Sequence, residues 1–180
     1  ETEGGSYARF IIEPLERGMG LTLGNAMRRT LLGALPGAAP IAIRIAGVSH
    51  EFSTVPGIAE DVVDIVLNIK TLAVKTTNKD RDFTSILRIN HKGAGEITAR
   101  DFEPNDEVEI LNPDLHICTA DDDSVFQLDV LIGRGRGYVP NVVNKERVDT
   151  LEYIAIDSLY SPVKKVSYSV ENARVGQDMN

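Results

Sequence analysis

The chain has 180 residues, of which 42% are hydrophobic and 26% charged, and its formal net charge is −8. This composition is ordinary for a globular protein and excludes global disorder and collagen-like repeats, while the single cysteine excludes an internal disulfide. The acidic balance argues against sequence-independent nucleic-acid binding, because neutralising phosphates requires clustered cations. No apolar run approaches the roughly 18 residues of a membrane span, and no signal peptide opens the chain, so we expect a cytoplasmic protein.

The first predicted elements are a strand, a glycine-rich loop and a helix. Residues 7–13 are β-branched and aromatic enough for a strand, and Gly18, Gly20 and Gly24 indicate a loop. Apolar residues then recur at helical spacing over residues 25–35, up to the stop signal Pro36-Gly37. The predicted apolar stripe of this helix is Leu23, Met27, Leu31, Ala34 and Leu35. The opposite side carries Arg28, Arg29 and Leu32.

The rest of the chain predicts many short strands and one further helix. Residues 41–48 alternate as in a strand, and Ile58–Lys70 shows the strongest helical pattern, with acidic residues in its first turn and Lys70 in its last. Further strands are predicted at 72–76, 83–89, 96–99, 107–111, 115–119, 124–132, 151–156 and 164–172. Because strands and helices do not alternate regularly, the pattern indicates an α+β fold rather than a doubly wound parallel sheet.

The residue types that most often carry chemistry form no clear site. None of His50, His91 and His116 has a metal-ligand partner at helical spacing, so structural roles are expected. Cys118 lies within a predicted strand and is interpreted as a small buried side chain. The three adjacent aspartates 121–123 favour a turn, because metal-binding loops space their ligands.

The segment Gly133-Arg-Gly-Arg-Gly137 leaves one enzymatic alternative open. We predict a flexible loop here, and glycine loops can cradle phosphates when they open a helix. Tyr138-Val139-Pro140 follows, which argues against such a helix. A small α+β enzyme that binds a nucleotide at this loop therefore stands as the alternative to an interaction module.

A series of short motifs, in fixed order, is more specific than any of these residues alone. They are Glu13-Pro-Leu-Glu-Arg-Gly18, Thr22-Leu-Gly-Asn-Ala-Met-Arg-Arg29, His50-Glu-Phe-Ser-Thr54, Glu60-Asp-Val-Val63, Leu67-Asn-Ile-Lys70, Asn112-Pro-Asp-Leu-His116, Arg134-Gly-Arg-Gly-Tyr-Val-Pro140, Tyr160-Ser-Pro-Val163 and Val170-Glu-Asn-Ala-Arg-Val-Gly176. Together they resemble the N-terminal domain of the α subunit of bacterial DNA-directed RNA polymerase.

The resemblance implies an α+β fold of two domains. A discontinuous dimerisation and assembly domain, built from an antiparallel sheet and helices, would comprise residues 1–36 and 162–180. A mostly-β domain would be inserted at residues 37–161. In this family a further strand, a long helix and a DNA-binding domain follow the stretch that matches residues 176–177, so we expect the sequence to be part of a longer subunit.

The resemblance also implies partners and contact residues. The family's α chain pairs with a second α chain and then recruits the β and β′ subunits, so it serves transcription as a non-catalytic part of a nucleotidyltransferase. The implied β-subunit contacts are Arg29 and Leu32, with Arg28 beside them, and the implied β′-subunit contacts are Lys70 and Ile156. Leu31 and Leu35 are assigned to the dimer interface. No catalytic residue, metal, cofactor, membrane contact or direct DNA contact is expected.

Three of these assignments have plain alternatives. Arg29 can be a solvated surface residue, and Lys70 can be a cation that stabilises the end of its helix. Ile156 can simply belong to the core.

Overall fold

The computed structural model describes residues 2–3 and 5–173. The chain divides into two compact units, one made of Glu1–Leu32 with Val163–Asn180 and the other of Gly33–Pro162. Mixed helices and antiparallel sheets confirm the predicted α+β class. The part of the predicted dimerisation domain at 174–180, with the end of the last motif, lies outside the described residues.

The first unit is built on one long helix. Strands β1 (Thr2–Glu3) and β2 (Tyr7–Ala8) pair antiparallel, and helix α1 spans Met19–Gly33. The strand predicted at 7–13 is therefore mostly extended chain without strand pairing. The strand predicted at 164–172 is wrong, since these residues form no strand.

The loop predicted around Gly20 and Gly24 is also wrong, because both residues lie inside α1. A Cβ atom at position 20 would lie 2.7 Å from Cγ1 of Val170, and one at position 24 would overlap the ring of Tyr168. The two glycines are one helical turn apart and share a face. They serve a close approach between α1 and the segment that carries Tyr168 and Val170, not a turn.

The second unit contains most of the regular structure. In chain order its elements are β3 (Pro36–Ile45), α2 (Val62–Ile69), β4 (Val74–Lys75), β5 (Thr84–Lys92), β6 (Gly95–Thr98), a 3-10 turn (Ala99–Asp101), β7 (Glu109–Ile110), β8 (His116–Ala120), β9 (Val125–Arg136), β10 (Tyr138–Val139), α3 (Asn141–Asn144), β11 (Ile154–Ala155) and β12 (Ser158–Leu159).

Six of these strands form an antiparallel sheet in the order β5-β9-β3-β4-β7, with β11 also paired to β3. The pairs β6-β8 and β10-β12 lie outside this sheet. Strand β3 contains Pro40, which has no N–H to donate, and the register shifts between Pro40 and Ala42. This irregularity agrees with the confinement of proline to bulges and edges within sheets.

Helix α2 packs its apolar face against the sheet. Asp61 caps its start, since its Oδ1 accepts the N–H of Asp64 at 2.8 Å, so the helix begins four residues later than predicted. The sequence pattern predicts a buried face of Ile58, Val62, Ile65, Val66 and Ile69. The last four are buried, whereas Ile58 precedes the helix and is half-buried. They join a core of side chains from β3, β5, β8 and β9, among them Ile43, Leu87, Ile117, Phe126 and Leu128.

A second, smaller core lies around Tyr160, which packs with Ala39, Ile41 and Ala42 of β3. The predicted flexible loop at 133–137 is wrong, because β9 runs through it and Gly135 pairs with Gly37. A Cβ atom at position 135 would lie 2.5 Å from Cε2 of Tyr160. Gly135 therefore makes room for the tyrosine ring.

None of the helices in the described ranges has the length and apolar character required to cross a bilayer.

Candidate interaction surfaces

The predicted contact residues of α1 form one continuous patch on the helix surface. Arg28 and Arg29 are exposed and Leu32 is half-buried. Residues three and four positions apart are neighbours on a helix, so both arginines lie beside Leu32. Neither arginine forms an ion pair with another described residue. The patch therefore offers two free guanidinium groups next to an aliphatic side chain.

The apolar side chains of the first unit are largely uncovered. Helix α1 contains no fully buried residue, and its predicted apolar residue Met27 remains 38% exposed. Phe10 and Ile11 before the helix are each 76% exposed. The predicted interface residues Leu31 and Leu35 are half-buried, and Leu35 lies just beyond the end of α1. Continuous exposed apolar surface of this kind is typical of protein–protein contact sites.

The predicted contacts Lys70 and Ile156 lie close together but differ in exposure. Lys70 follows the last residue of α2, and its Nζ atom donates to Oδ2 of Asp157 at 3.1 Å. Both partners are about one-third exposed. Ile156, in contrast, is 2% exposed and belongs to the main core, so its side chain offers no surface.

Asp157 is the residue that organises this region, and the sequence analysis missed it. Its Oδ1 atom accepts the backbone N–H of Asn141 at 2.7 Å. Partial burial of the carboxylate acts to raise its pKa, but the donors of Asn141 and Lys70, with the nearby Tyr138 hydroxyl, outweigh this and hold the pKa below its ordinary value. No sequence signal reveals the pair, because its two residues are separated by 87 positions.

The backbone beneath Asp157 is fixed by a buried polar network. Asn144 is fully buried, and its Nδ2 donates to the carbonyl of Ile156 at 2.7 Å and to Oγ of Ser158 at 2.9 Å. The Ser158 hydroxyl in turn donates to the carbonyl of Pro40 at 2.6 Å. Asn144 is the last residue of the short helix α3.

Exposed apolar side chains surround the Lys70–Asp157 pair. Leu67 lies one helical turn before Lys70 and is 53% exposed. Tyr138 and Leu159 face each other across the β10-β12 pair and are 62% and 51% exposed. Directly opposed residues of antiparallel strands share a face. The arrangement is a charged pair within an apolar and aromatic surround, which is the usual make-up of a protein-binding patch.

The histidines and the cysteine occupy structural positions. His116 bridges two carboxylates, with Nε2 2.9 Å from Oε1 of Glu60 and Nδ1 3.0 Å from Oε1 of Glu96. Burial raises the pKa of the Cys118 thiol to about 12, with a further contribution from Glu60, so the thiol stays protonated. Within the described part of the chain no three metal-binding side chains cluster.

The nucleotide-binding alternative is not supported. Two of its three glycines lie in β9, where Gly133 is paired with both β3 and β5 and Gly135 is paired with β3. Gly137 follows the last residue of this strand. A phosphate-binding loop needs free backbone N–H groups at the start of a helix, which a paired strand does not provide.

Comparison with known proteins decides the family. Residues 43–161 match the family described as "RNA polymerase Rpb3/RpoA insert domain", a stretch that falls within the second unit. The chain belongs to this family. The predicted resemblance to bacterial RNA polymerase α subunits is thereby confirmed.

Curated relatives agree over nearly the whole chain. It is 49% identical to "DNA-directed RNA polymerase subunit alpha" of Clostridium acetobutylicum over 98% of its residues and 55% of the relative. Identity to the protein of the same name in Carboxydothermus hydrogenoformans is 53% over 95% of this chain and 54% of that one. Identity to the protein of the same name in Symbiobacterium thermophilum is 47% over 99% of this chain and 56% of that one. The chain spans about half the length of the curated relatives it matches.

Proposed function

We propose that this chain is the assembly-scaffold region of a bacterial RNA polymerase α subunit. It pairs with a second α chain, and the pair recruits the β and β′ subunits for DNA-templated transcription in the cytoplasm. The observation that carries the proposal is the family match, together with the exposed Arg28 and Arg29 beside the half-buried Leu32 on α1.

In this proposal the two units have different tasks. The unit containing α1 supplies the dimer contact through Leu31 and the exposed apolar side chains Phe10 and Ile11, and Leu35 joins it from just beyond the end of α1. The same helix binds the β subunit, with Arg29 and Leu32 as the central contacts and Arg28 beside them. The second unit binds the β′ subunit near Lys70 and Ile156. The chain contributes no catalytic residue, cofactor, metal ligand or DNA contact to the polymerase.

The β-subunit contact is tested by replacing one guanidinium group. In the full-length α subunit, we expect Arg29→Ala to weaken binding to purified β subunit by more than ~1 kcal/mol, because a central arginine at an interface commonly contributes that much. Titration monitored by light scattering or calorimetry measures the affinity. Arg81→Ala is the matched control, since Arg81 is an exposed arginine outside the patch. An unchanged affinity for the Arg29 variant overturns this contact.

A further inference from the structure

The Asp157 carboxylate accepts hydrogen bonds from two separate elements. The donors are the ammonium of Lys70 after α2, at 3.1 Å, and the backbone N–H of Asn141 at the start of α3, at 2.7 Å. Both distances are those of normal hydrogen bonds. The neighbours of Asp157 hold its backbone in place, because Ile156 is buried in the core and the Ser158 hydroxyl donates a hydrogen bond to the carbonyl of Pro40.

This geometry constrains the flexible side chain of Lys70. A lysine at the end of a helix has four rotatable bonds and usually leaves its ammonium in water near the last carbonyls. Here the ammonium is drawn to a carboxylate that also accepts the backbone N–H of Asn141. A side chain ordered before binding loses less conformational entropy when a partner arrives.

We propose that Asp157 is a positioning residue that holds the Lys70 ammonium in place for the β′ subunit, and that Ile156 acts only from beneath by fixing the backbone of Asp157. The inference rests on the proposed function, since the β′ subunit is the partner assigned to Lys70 there. It assigns the surface to Lys70, Asp157 and the exposed residues Leu67, Tyr138 and Leu159.

The chemistry of this surface specifies the kind of segment that fits it. One ammonium proton of Lys70 is used by Asp157, so the remaining two are available to a carbonyl or carboxylate oxygen of the partner. The surrounding side chains are aliphatic or aromatic and more than half exposed at Leu67, Tyr138 and Leu159. The complementary segment is therefore apolar and carries one hydrogen-bond acceptor at its centre.

A double-mutant cycle in the full-length α subunit, assembled with purified β, tests the proposal. The variants are Lys70→Ala, Asp157→Asn and the two combined, and the measured quantity is the affinity of each α–β assembly for purified β′ subunit. We expect Lys70→Ala to weaken β′ binding about tenfold and Asp157→Asn about fivefold, and the double variant to be no weaker than Lys70→Ala alone. Binding of the β subunit stays unchanged in all three.

Two milder variants control for folding. Tyr138→Phe removes a hydroxyl near Asp157 and keeps the exposed ring, and we expect β′ affinity within about twofold of the wild type. Ile156→Val keeps an aliphatic side chain in the core, and we expect β′ affinity within about twofold of the wild type.

The outcomes separate the two proposals. If Lys70→Ala binds β′ as well as the wild type does, the assignment of this surface to the β′ subunit fails, and the inference fails with it. If Lys70→Ala weakens binding but Asp157→Asn does not, only the positioning role fails. If Asp157→Asn lowers β′ affinity equally with and without Lys70, or lowers β affinity and melting temperature in parallel, Asp157 is purely structural and the inference is overturned.

Discussion

The two units of the chain differ in how far their apolar side chains are buried. In the second unit, helix α2 buries Val62, Ile65 and Ile69 completely against the sheet. In the first unit, the longer helix α1 has no fully buried residue, and Leu21 remains 63% exposed. Both helices are amphipathic by sequence, so periodicity alone does not tell whether a face is buried within the chain. The second unit buries its apolar side chains in its own core, whereas the first leaves many of its described apolar side chains exposed.

The largest expected effect is on the free energy of unfolding, when a leucine is replaced by alanine in each of the two units. Leu128 of β9 is fully buried, so Leu128→Ala should destabilise the chain by about 3–4 kcal/mol through lost burial and a residual cavity. Leu21→Ala in α1 should change the free energy of unfolding by less than about 0.5 kcal/mol, because the side chain is mostly exposed already. Urea unfolding followed by circular dichroism measures both. Equal losses would show that the contrast between the units is wrong.

A smaller effect is expected where the first unit does pack closely. Gly24→Ala places a Cβ atom into the ring of Tyr168, and such overpacking costs about 1–3 kcal/mol, more than the gain of up to ~1 kcal/mol in helix propensity. We expect the amide hydrogens of residues 163–173 to exchange faster with solvent, as measured by mass spectrometry.

Gly33→Ala provides the control for this change. It is also a glycine of α1, but nothing lies within 4 Å of the Cβ position. It should leave the exchange of residues 163–173 unchanged. If Gly24→Ala slows exchange instead, the close approach of the two segments does not exist in solution.

The smallest expected effect is a pH dependence confined to the second unit. The hydrogen bonds that His116 donates to Glu60 and to Glu96 raise the pKa of His116 above 6.5, against the effect of burial. The contribution of His116 to stability is thus complete below about pH 6.5 and is lost as the pH rises through the raised value. For Glu60, burial acts to raise the pKa, but the bonds from His116 and Thr119 prevail and lower it below 4.5. The contribution of Glu60 to stability is therefore complete above about pH 4.5 and is lost as the pH falls through its lowered pKa.

Stability from this cluster should therefore be greatest between about pH 4.5 and 6.5, and it should fall by no more than about 1 kcal/mol toward pH 8.5, because His116 is 41% exposed. Melting temperatures of the wild type and of His116→Gln across this range measure the effect. The difference between the two proteins should shrink as the pH rises. A constant difference would mean that the bridge is not ionic.

Sequence patterns predicted those features whose causes are local. The spacing of Val62, Ile65 and Ile69 predicted α2 and its buried face, since neighbours along a helix share that face. Alternation predicted β5 for the same kind of reason. The exposed side of α1 with Arg28 and Arg29 also followed from spacing, because helix geometry alone places those residues together.

Glycines were the main source of error, and the cause is physical. A glycine can mark a flexible turn or a place where another group approaches closely, and the sequence does not separate the two. Gly24 and Gly135 were both interpreted as loop residues. Each lies in regular structure against a tyrosine ring that is distant in sequence, Tyr168 for Gly24 and Tyr160 for Gly135. Only the folded chain reveals that reason.

By itself, the sequence determined the α+β class, the family, the two amphipathic helices and the absence of any paired cysteine, because these depend on composition, short-range periodicity and ordered motifs. The tertiary structure alone decided which of two neighbouring residues, Ile156 or Asp157, reaches the surface beside Lys70. Which of the two side chains is exposed depends on contacts between segments about 87 residues apart. Local sequence patterns do not show which side chain of an irregular segment points to the surface.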